Sequence, residues 1–166
     1  MAILVEPFAP EHREAVIALV LDIQQNEFLV PITLGDQPDL ADVASFYGRG
    51  SGGFWVARDE GSGDVVGTIG LLPAGPDGAL RKMFVRKDAR GKELGVAARL
   101  LDALLAHARA RGLARVWLGS RGNMHAAHRF YEKNGFVRVD EAALPAAFPR
   151  AAVDSVFYVL DLAPRP

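Results

Sequence analysis

The sequence predicts a mixed α/β (α+β) fold, with a mostly antiparallel twisted sheet, one central parallel strand pair and helices on both faces. Short runs rich in β-branched and aromatic residues recur along the chain and are separated by glycine-containing turns, as in antiparallel hairpins. One long segment between two such runs has its leucines at helical spacing. This strand-helix-strand passage at 79–119 most simply forms a right-handed parallel crossover.

Length and composition favour one globular unit, and we expect residues 1–166 to form a single domain. The 19 lysines and arginines nearly balance the 20 acidic residues, which leaves no basic surface for nucleic acid or an anionic membrane. The chain has no cysteine, which excludes a disulfide framework, a thiolate metal site and a cysteine nucleophile.

The N-terminus lacks the basic start and long apolar run of a signal peptide. No apolar stretch approaches the roughly 18 residues that a membrane span needs. We therefore expect a soluble, cytoplasmic protein that has neither a nucleic-acid nor a membrane partner.

The N-terminal half predicts a strand, a helix, a connecting region and a hairpin. Residues 2–7 form a strand-like run, and after Pro10 the apolar residues take helical spacing. Residues 26–50 mix prolines and glycines with a short helical patch, so they form either a cover for a substrate or a plain connector. The runs at 53–59 and 64–73 flank the turn-forming "EGSG" and predict an antiparallel hairpin.

The C-terminal half continues the sheet and contains the clearest helix. That helix is predicted over 94–110, with Gly112 as its stop. The other predicted elements are strands at 78–85, 113–120, 136–139 and 154–162 and a helix at 124–133, followed by the tail "APRP" at 163–166.

The turn before the leucine-rich helix has the features of a phosphate site. A helix N-terminus exposes unpaired N–H groups and partial positive charge. Gly91 and Gly95 permit close approach to the backbone, and Arg90 and Lys92 add positive charge. These residues alone fit a solvated turn equally well. The turn has neither a Walker lysine nor a three-glycine dinucleotide fingerprint, so nucleotide hydrolysis and hydride transfer have little support.

A second motif lies one strand and one helix further on, in "NMHAAHRFYEKNGF" at 123–136. Together the two motifs resemble the GCN5-related N-acetyltransferase (GNAT) superfamily. In that family a Leu-Tyr-Val strand leads into Arg/Gln-x-x-Gly-x-Gly/Ala, and a later helix carries Ala-x-x-Phe-Tyr-Glu-Lys-x-Gly-Phe. Here "MFV" (83–85), "RGKELG" (90–95) and "AHRFYEKNGF" (127–136) stand at those places.

The resemblance implies that acetyl-coenzyme A is the cosubstrate, that it lies between two parallel strands that splay apart, and that no metal is needed. The main chain of Met83 and Val85 would bond the pantetheine arm, and the amides of 91–95 would hold the pyrophosphate. The implied cofactor-binding set is Met83, Phe84, Val85, Arg90, Gly91, Lys92, Glu93, Leu94, Gly95, Val96 and Asn123.

Tyr131 matches the family tyrosine that protonates the departing coenzyme A thiolate, a role that a positioned phenol can fill. The alternative is an aromatic residue that only packs under the sheet. The acetyl group would pass directly to an acceptor amine, because no activated nucleophile is evident. The rival functions are a non-catalytic acyl-coenzyme A binding module and a dinucleotide-binding protein.

Two residues depart from the family loop and helix patterns. Glu93 replaces the first glycine of the loop, and we expect its side chain to face solvent in the first helical turn. Asn123 stands four residues before Ala127 instead of three, which favours a helix N-cap.

The general base is not identified by the motifs, because Ala79 stands where some members carry a glutamate. Glu27 is a candidate base, with Asp36 and Asp39 as alternatives, because this segment commonly walls the acceptor pocket in the family. The alternative for each of the three residues is a surface carboxylate without a catalytic role. A water molecule could relay the proton instead.

The remaining polar residues give weaker signals. His125 and His128 approach metal-ligand spacing, but no third ligand is evident, so we expect both to be solvated. Arg81 and Lys82 are expected to decorate strand faces. Edge strands would allow a homodimer, and the sequence does not choose among small amines, amino acids, antibiotics and proteins as acceptors.

Overall fold

A computed structural model of the chain describes residues 1–162, so the predicted tail at 163–166 lies outside the described residues. The strands are β1 (Ile3–Pro7), β2 (Gly53–Asp59), β3 (Val65–Ala74), β4 (Asp77–Val85), β5 (Arg115–Ser120), β6 (Val137–Val139) and β7 (Val156–Asp161). The helices are α1 (Arg13–Asp22), α2 (Pro38–Ala41), α3 (Val43–Tyr47), α4 (Val96–Ala110) and α5 (His125–Lys133). A π-helical turn, Ile23–Glu27, extends α1.

The seven strands form one sheet in the order β1-β2-β3-β4-β5-β7-β6. Strands β4 and β5 are parallel, and every other neighbouring pair is antiparallel. The crossover through α4 places β5 beside β4, as the strand-helix-strand passage predicted. The predicted fold class is therefore confirmed.

Side chains alternate along each strand, so that successive residues pack on opposite faces of the sheet. In β2, Trp55 packs in the cluster that contains the α4 leucines, whereas Phe54 packs in the cluster formed by α1, α2 and α3. In β5, Leu118 belongs to the α4 cluster, and Trp117 lies on the opposite face under the 140–155 segment. Helices α4 and α5 thus cover one face, and α1–α3 share the other face with the 140–155 segment.

The central parallel pair separates almost as soon as it forms. Gly78 pairs with Val116 and Ala79 with Trp117, and beyond Ala79 the described strands β4 and β5 share no further register. The sheet therefore opens into a gap between the C-terminal ends of these two strands, where α/β sheets commonly bind ligands.

A β-bulge lies in β4 beside this gap. One residue of β3, Ile69, stands against two residues of β4, Lys82 and Met83. Lys82 has φ +54°, and its carbonyl oxygen accepts a hydrogen bond from Thr68 Oγ1 at 2.7 Å. A bulge of this kind bends the strand and redirects side chains.

Helix α4 and the 26–50 region differ from the prediction, and several other elements begin or end one or two residues away from their predicted bounds. Helix α4 begins at Val96 rather than at residue 94, because Gly95 caps it in the left-handed conformation and residues 91–94 form a turn. The 26–50 region holds the end of the π turn and two short helices instead of one helical patch. Among residues 1–162, no helix is long and apolar enough to cross a bilayer.

Candidate active site

The turn from Arg90 to Gly95 leads to the N-terminus of α4. Gly91 has φ +119° and Gly95 has φ +60°, conformations that favour glycine. A Cβ at Gly91 would meet no atom within 4 Å, and one at Gly95 would meet only Lys92 O at 3.8 Å. The space beside both glycines is therefore open, as a bound phosphate group would require.

Of the amides of 91–95 that were predicted to hold the pyrophosphate, that of Gly95 alone is bonded within the described chain, and the free amides extend beyond it into α4. Gly95 N–H donates to Gly91 O at 3.1 Å, and the first bond into α4 runs from Arg99 N–H to Gly95 O at 3.0 Å. Within the described chain, this leaves the N–H groups of residues 96–98 as the unpaired donors of the helix end. The 15-residue helix directs its partial positive charge at the same place.

Two lysines flank the turn. The neighbouring Lys92 ammonium lowers the pKa of Lys133, so the two cations lie close together at the surface. Both line a cleft of about 1130 Å³ between the start of α4 and α5. Two adjacent ammonium groups favour an anion between them. Sequence reasoning missed Lys133, although it stands two residues after Tyr131 in the quoted motif.

The Arg90 guanidinium is already hydrogen-bonded to other residues and is not free to bind a ligand in this cleft. Its Nη1 and Nη2 donate to Glu27 Oε2 and Oε1 at 2.5 and 2.6 Å, and its Nε donates to Val85 O at 2.8 Å. These bonds connect the π turn of α1 to the end of β4. They also neutralise the cation that the sequence assigned to the pyrophosphate.

Glu27 is poorly placed to act as a base. Hydrogen bonds from Arg90 lower the pKa of the Glu27 carboxyl, against a smaller opposing effect of burial. A carboxylate that holds both oxygens against a guanidinium is a weak proton acceptor near neutral pH. The geometry therefore does not support the candidate base that the sequence suggested.

A second cleft, of about 260 Å³, opens at the gap between β4 and β5. Its floor is formed by the ends of these two strands, and its walls come from the 24–39 region on one side and residues 151–154 on the other. Tyr131 reaches this cleft from α5.

Tyr131 is 6% exposed and packs its ring against Phe136 and Tyr158, with centroids 5.6 and 6.1 Å away. Its hydroxyl makes no hydrogen bond to any residue in the described range. Burial, and then the negative charge of Asp154, raise the pKa of the Tyr131 phenol. The phenol therefore keeps its proton at neutral pH, and Tyr131 is one of the residues that line the cleft.

A buried polar network forms one wall of the cleft, contrary to the surface positions expected for Asp39 and Lys82. Each of these residues has a side chain at most 12% exposed. Lys82 Nζ donates to Gln37 Oε1 at 2.8 Å and lies 3.5 Å from Asp39 Oδ2, and the Tyr47 hydroxyl donates to the same Asp39 oxygen at 2.6 Å. The bulge in β4 turns Lys82 inward, which the sequence pattern did not indicate.

In this network, burial and the neighbouring charges shift the pKa values of Asp39 and Lys82 in opposite directions. Burial would raise the pKa of Asp39, but the Lys82 ammonium and the Tyr47 hydroxyl lower it further than burial raises it. Burial lowers the pKa of Lys82, and Asp39 partly restores it. Asp36 lies outside the network, because its carboxylate accepts hydrogen bonds from the Thr33 N–H and hydroxyl at 3.0 and 2.9 Å on the surface.

The opposite wall carries a carboxylate that sequence reasoning missed. Asp154 is half-buried just before β7 and stands over Gly119 of β5, where a Cβ would come within 2.5 Å of Asp154 Oδ2. Burial raises the pKa of Asp154, although Arg81, Arg121 and Lys82 lower it in part. A single acidic residue at the start of a predicted strand gives no sequence signal for a site, so only the fold identifies it.

Two other expectations for α5 are wrong. Met124, not Asn123, is the N-cap, because a turn from Met124 N–H to Arg121 O sets the helix start at His125. Asn123 is exposed. His128 is 8% exposed and its Nε2 lies 3.0 Å from Ser120 Oγ, whereas His125 is exposed as expected.

No group of three histidines or acidic residues within 1–162 is arranged to hold a metal ion.

The other predicted cofactor residues have mixed environments. Glu93 is exposed as expected, but it lies in the turn before α4 rather than in the helix. Val96 is buried in the α4 cluster, and Met83, Val85 and Leu94 pack against that cluster. Phe84 packs on the opposite face, against the α1 cluster. These side chains hold the strand and the turn in place, which leaves the main chain to face the gap.

Comparison with known proteins finds one family and many similar folds. Residues 17–136 match the family described as the Acetyltransferase (GNAT) family. N-acetylaspartate synthetase of Danio rerio is 33% identical over 126 residues, which cover 72% of this chain and 43% of that protein. The chain spans about half the length of the curated relatives that it matches.

Two bacterial structures resemble the whole described fold. A GNAT-family acetyltransferase from Staphylococcus aureus Mu50 is 34% identical with a TM-score of 0.92, covering 98% of this chain and all of that one. An acetyltransferase from Streptococcus agalactiae 2603 is 26% identical with a TM-score of 0.89, covering 96% and 98% of the two chains.

Proposed function

The chain belongs to the Acetyltransferase (GNAT) family, and we propose that it is an acetyl-coenzyme A-dependent N-acyltransferase that moves an acetyl group directly to an acceptor amine. One observation carries the proposal. The unpaired amides at the start of α4 and the open space beside Gly91 and Gly95 lie at the end of β4, the strand whose edge beyond Ala79 is free.

The residues around α4 fit the cosubstrate. The amides of 96–98 and the Lys92–Lys133 pair would hold the pyrophosphate. The main chain of β4 at Met83 and Val85 would bond the pantetheine arm, beside the Val85 carbonyl oxygen that already accepts from Arg90 Nε. Acetyl-coenzyme A supplies the activated acetyl thioester. Arg90 is assigned a positioning role, because it bridges Glu27 and the Val85 carbonyl oxygen.

Tyr131 is proposed as the general acid. Tyr131 lines the cleft at the gap, and its raised pKa keeps the phenol protonated for the departing thiolate. We propose direct transfer without an acyl-enzyme; Ser120 lines the cleft with its Oγ 3.0 Å from His128 Nε2, so Ser120→Ala tests this part of the proposal. The proton of the acceptor amine must leave through a group other than Ala79 or the ion-paired Glu27.

Release of coenzyme A thiol tests the proposal directly. The chain has no cysteine, so a thiol reagent reports coenzyme A alone. The purified protein is mixed with acetyl-coenzyme A and a panel of amines, amino acids and peptides, and mass spectrometry identifies the acetylated product. Tight binding of acetyl-coenzyme A without turnover on any acceptor would favour the non-catalytic binding module. Competition by NAD but not by coenzyme A would favour the dinucleotide-binding alternative.

A further inference from the structure

We infer that the acceptor is a small amine that carries a carboxylate, such as a free amino acid, bound with its carboxylate at Arg81 and Arg121 and its amine at Asp154. This inference rests on the proposed acetyltransferase function. It names the class of acceptor, which neither the family nor the phosphate-binding turn determines.

Half of the charged groups that line the 260 Å³ cleft already have partners. Lys82 is bonded to Gln37 and faces Asp39, and Asp36 accepts two hydrogen bonds from Thr33. Three charged groups remain without a hydrogen bond or ion pair to any residue between 1 and 162. They are the half-buried side chains of Arg81, Arg121 and Asp154.

Arg81 lies between the two walls of the cleft. It follows Ala79 by two residues on β4, which places it on the sheet face opposite α4. Its positive charge lowers the pKa of Asp39 on one wall and opposes the raised pKa of Asp154 on the other. A half-buried guanidinium in this position offers several N–H donors to a ligand.

Arg121 directly follows β5, across the gap from Arg81. Its charge also acts on Asp154. Two unpaired guanidinium groups that line one cleft are suited to a carboxylate, because the planar fork of arginine donates two parallel hydrogen bonds to the two carboxylate oxygens.

Asp154 is suited to the amine end of the ligand. Its main-chain N–H donates to Ala151 O at 3.1 Å, and its carboxylate rests on Gly119, which has no side chain to displace it. The same carboxylate raises the pKa of Tyr131, so the two groups lie near each other. An amine at Asp154 therefore lies near the phenol that would protonate the departing thiolate.

The unpaired charges favour one class of acceptor. The three unpaired groups amount to two positive charges and one negative charge. A polyamine or an aminoglycoside would place further positive charge beside two guanidinium groups that lack an anionic partner, at a cost from like-charge repulsion. A zwitterionic amino acid would satisfy Asp154 with its ammonium and the arginines with its carboxylate.

The test compares acceptors that differ only in the carboxylate. Each of the L-amino acids except cysteine is assayed by thiol release beside its amide and, where one exists, its decarboxylated amine, and cysteine is assayed by mass spectrometry of the product. We expect at least one amino acid to be acetylated with kcat/KM about 10-fold or more above its amide, because losing one charge-assisted contact typically costs that much.

The arginine variants separate a specific contact from a general effect. Arg121→Gln and Arg81→Gln should raise KM for the amino acid about 10- to 100-fold, with kcat changed far less, and should hardly alter KM for the amide. Arg109→Gln, on the exposed C-terminal end of α4, is the matched control and should leave all constants unchanged. Calorimetry of the amino acid with coenzyme A-saturated protein should show the same loss of affinity.

Two results would overturn the inference in distinguishable ways. The acceptor class would be refuted if amides or decarboxylated amines were acetylated as efficiently as amino acids, or if KM were unchanged in both arginine variants. The proposed acetyltransferase function would still stand in either case. Binding of acetyl-coenzyme A with no thiol release from any compound would refute the proposed function and the inference with it.

Discussion

At the scale of single residues, Tyr131 gives the most direct test of the mechanism. Tyr131→Phe keeps the ring, which packs between Phe136 and Tyr158, and removes only the hydroxyl. Loss of a positioned general acid typically lowers kcat by about 10²–10⁴-fold, and KM should change much less. Steady-state kinetics and a coenzyme A binding titration measure the two effects separately. Equal kcat in both proteins, with chemistry limiting the rate, would exclude Tyr131 as the acid.

Asp39 gives a test that depends on pH. The pKa of its carboxyl is lower in the folded protein, so its contribution to stability is present above the unfolded value of about 3.9 and is lost as pH falls through the folded value. Asp39→Asn leaves the buried Lys82 ammonium opposite a neutral amide. We expect this variant to lose about 2–4 kcal/mol of unfolding free energy at pH 7.

Denaturant unfolding of both proteins between pH 3 and 7 measures this difference. The gap between wild type and Asp39→Asn should shrink as the pH drops below about 4, because the wild-type carboxyl then becomes neutral as well. Asp36→Asn is the surface control and should change stability by less than Asp39→Asn at neutral pH. A pH-independent gap would show that Asp39 acts through packing alone.

At the scale of elements, the turn before α4 can be tested with a matched pair of glycines. Gly95 and Gly112 flank the same helix at opposite ends, both have positive φ, and neither meets protein atoms closer than 3.8 Å at a Cβ position. Valine at either site should lower stability by about 1–3 kcal/mol, since both backbones disfavour a branched residue. Only Gly95→Val should also weaken coenzyme A binding, because its side chain would occupy the open space beside the helix N-terminus.

Thermal unfolding and calorimetry together separate the two effects of these substitutions. An unchanged coenzyme A dissociation constant in a folded Gly95→Val protein would refute the phosphate site. An equal loss of affinity in Gly112→Val would instead show that disturbing either end of α4 weakens coenzyme A binding.

Local patterns were sufficient to predict most elements. The alternation of the strands, the leucine spacing of α4 and the glycine turns depend on neighbouring residues, so the succession of strands and helices along the chain and the α4 crossover could be predicted from them. The start of α4 was misplaced because Glu93 and Leu94 are good helix formers. The left-handed Gly95, however, forces the turn to finish first.

The composition of the acceptor cleft could not be predicted by the same reasoning. Lys82 faces inward only because of a bulge set by the pairing of β4 with β3, and Asp154 meets Gly119 only because β7 pairs with β5. The Arg90–Glu27 bond joins residues 63 positions apart. Such contacts depend on tertiary structure, so motif spacing identified the cofactor turn and left the acceptor side open.

At the scale of the whole molecule, the gap in the sheet makes stability depend on the ligand. Beyond Ala79 strands β4 and β5 lack the hydrogen bonds that join the other strands, so a ligand that bonds to the free edge of β4 would bridge the two halves of the sheet. Any ligand that binds only the folded state raises its stability through mass action.

We therefore expect acetyl-coenzyme A at 100 times its dissociation constant to stabilise the protein by about 2.7 kcal/mol. For a domain of this size, that corresponds to a rise in Tm of about 5–10 °C. Scanning calorimetry should detect the rise with coenzyme A and acetyl-coenzyme A, and only a small one with NAD. It should shrink in Gly95→Val and persist in Tyr131→Phe, because the phenol acts on the departing thiolate rather than on the bound cosubstrate. A Tm that does not respond to saturating coenzyme A would mean that the turn and the gap do not form one binding site, whatever their separate geometry.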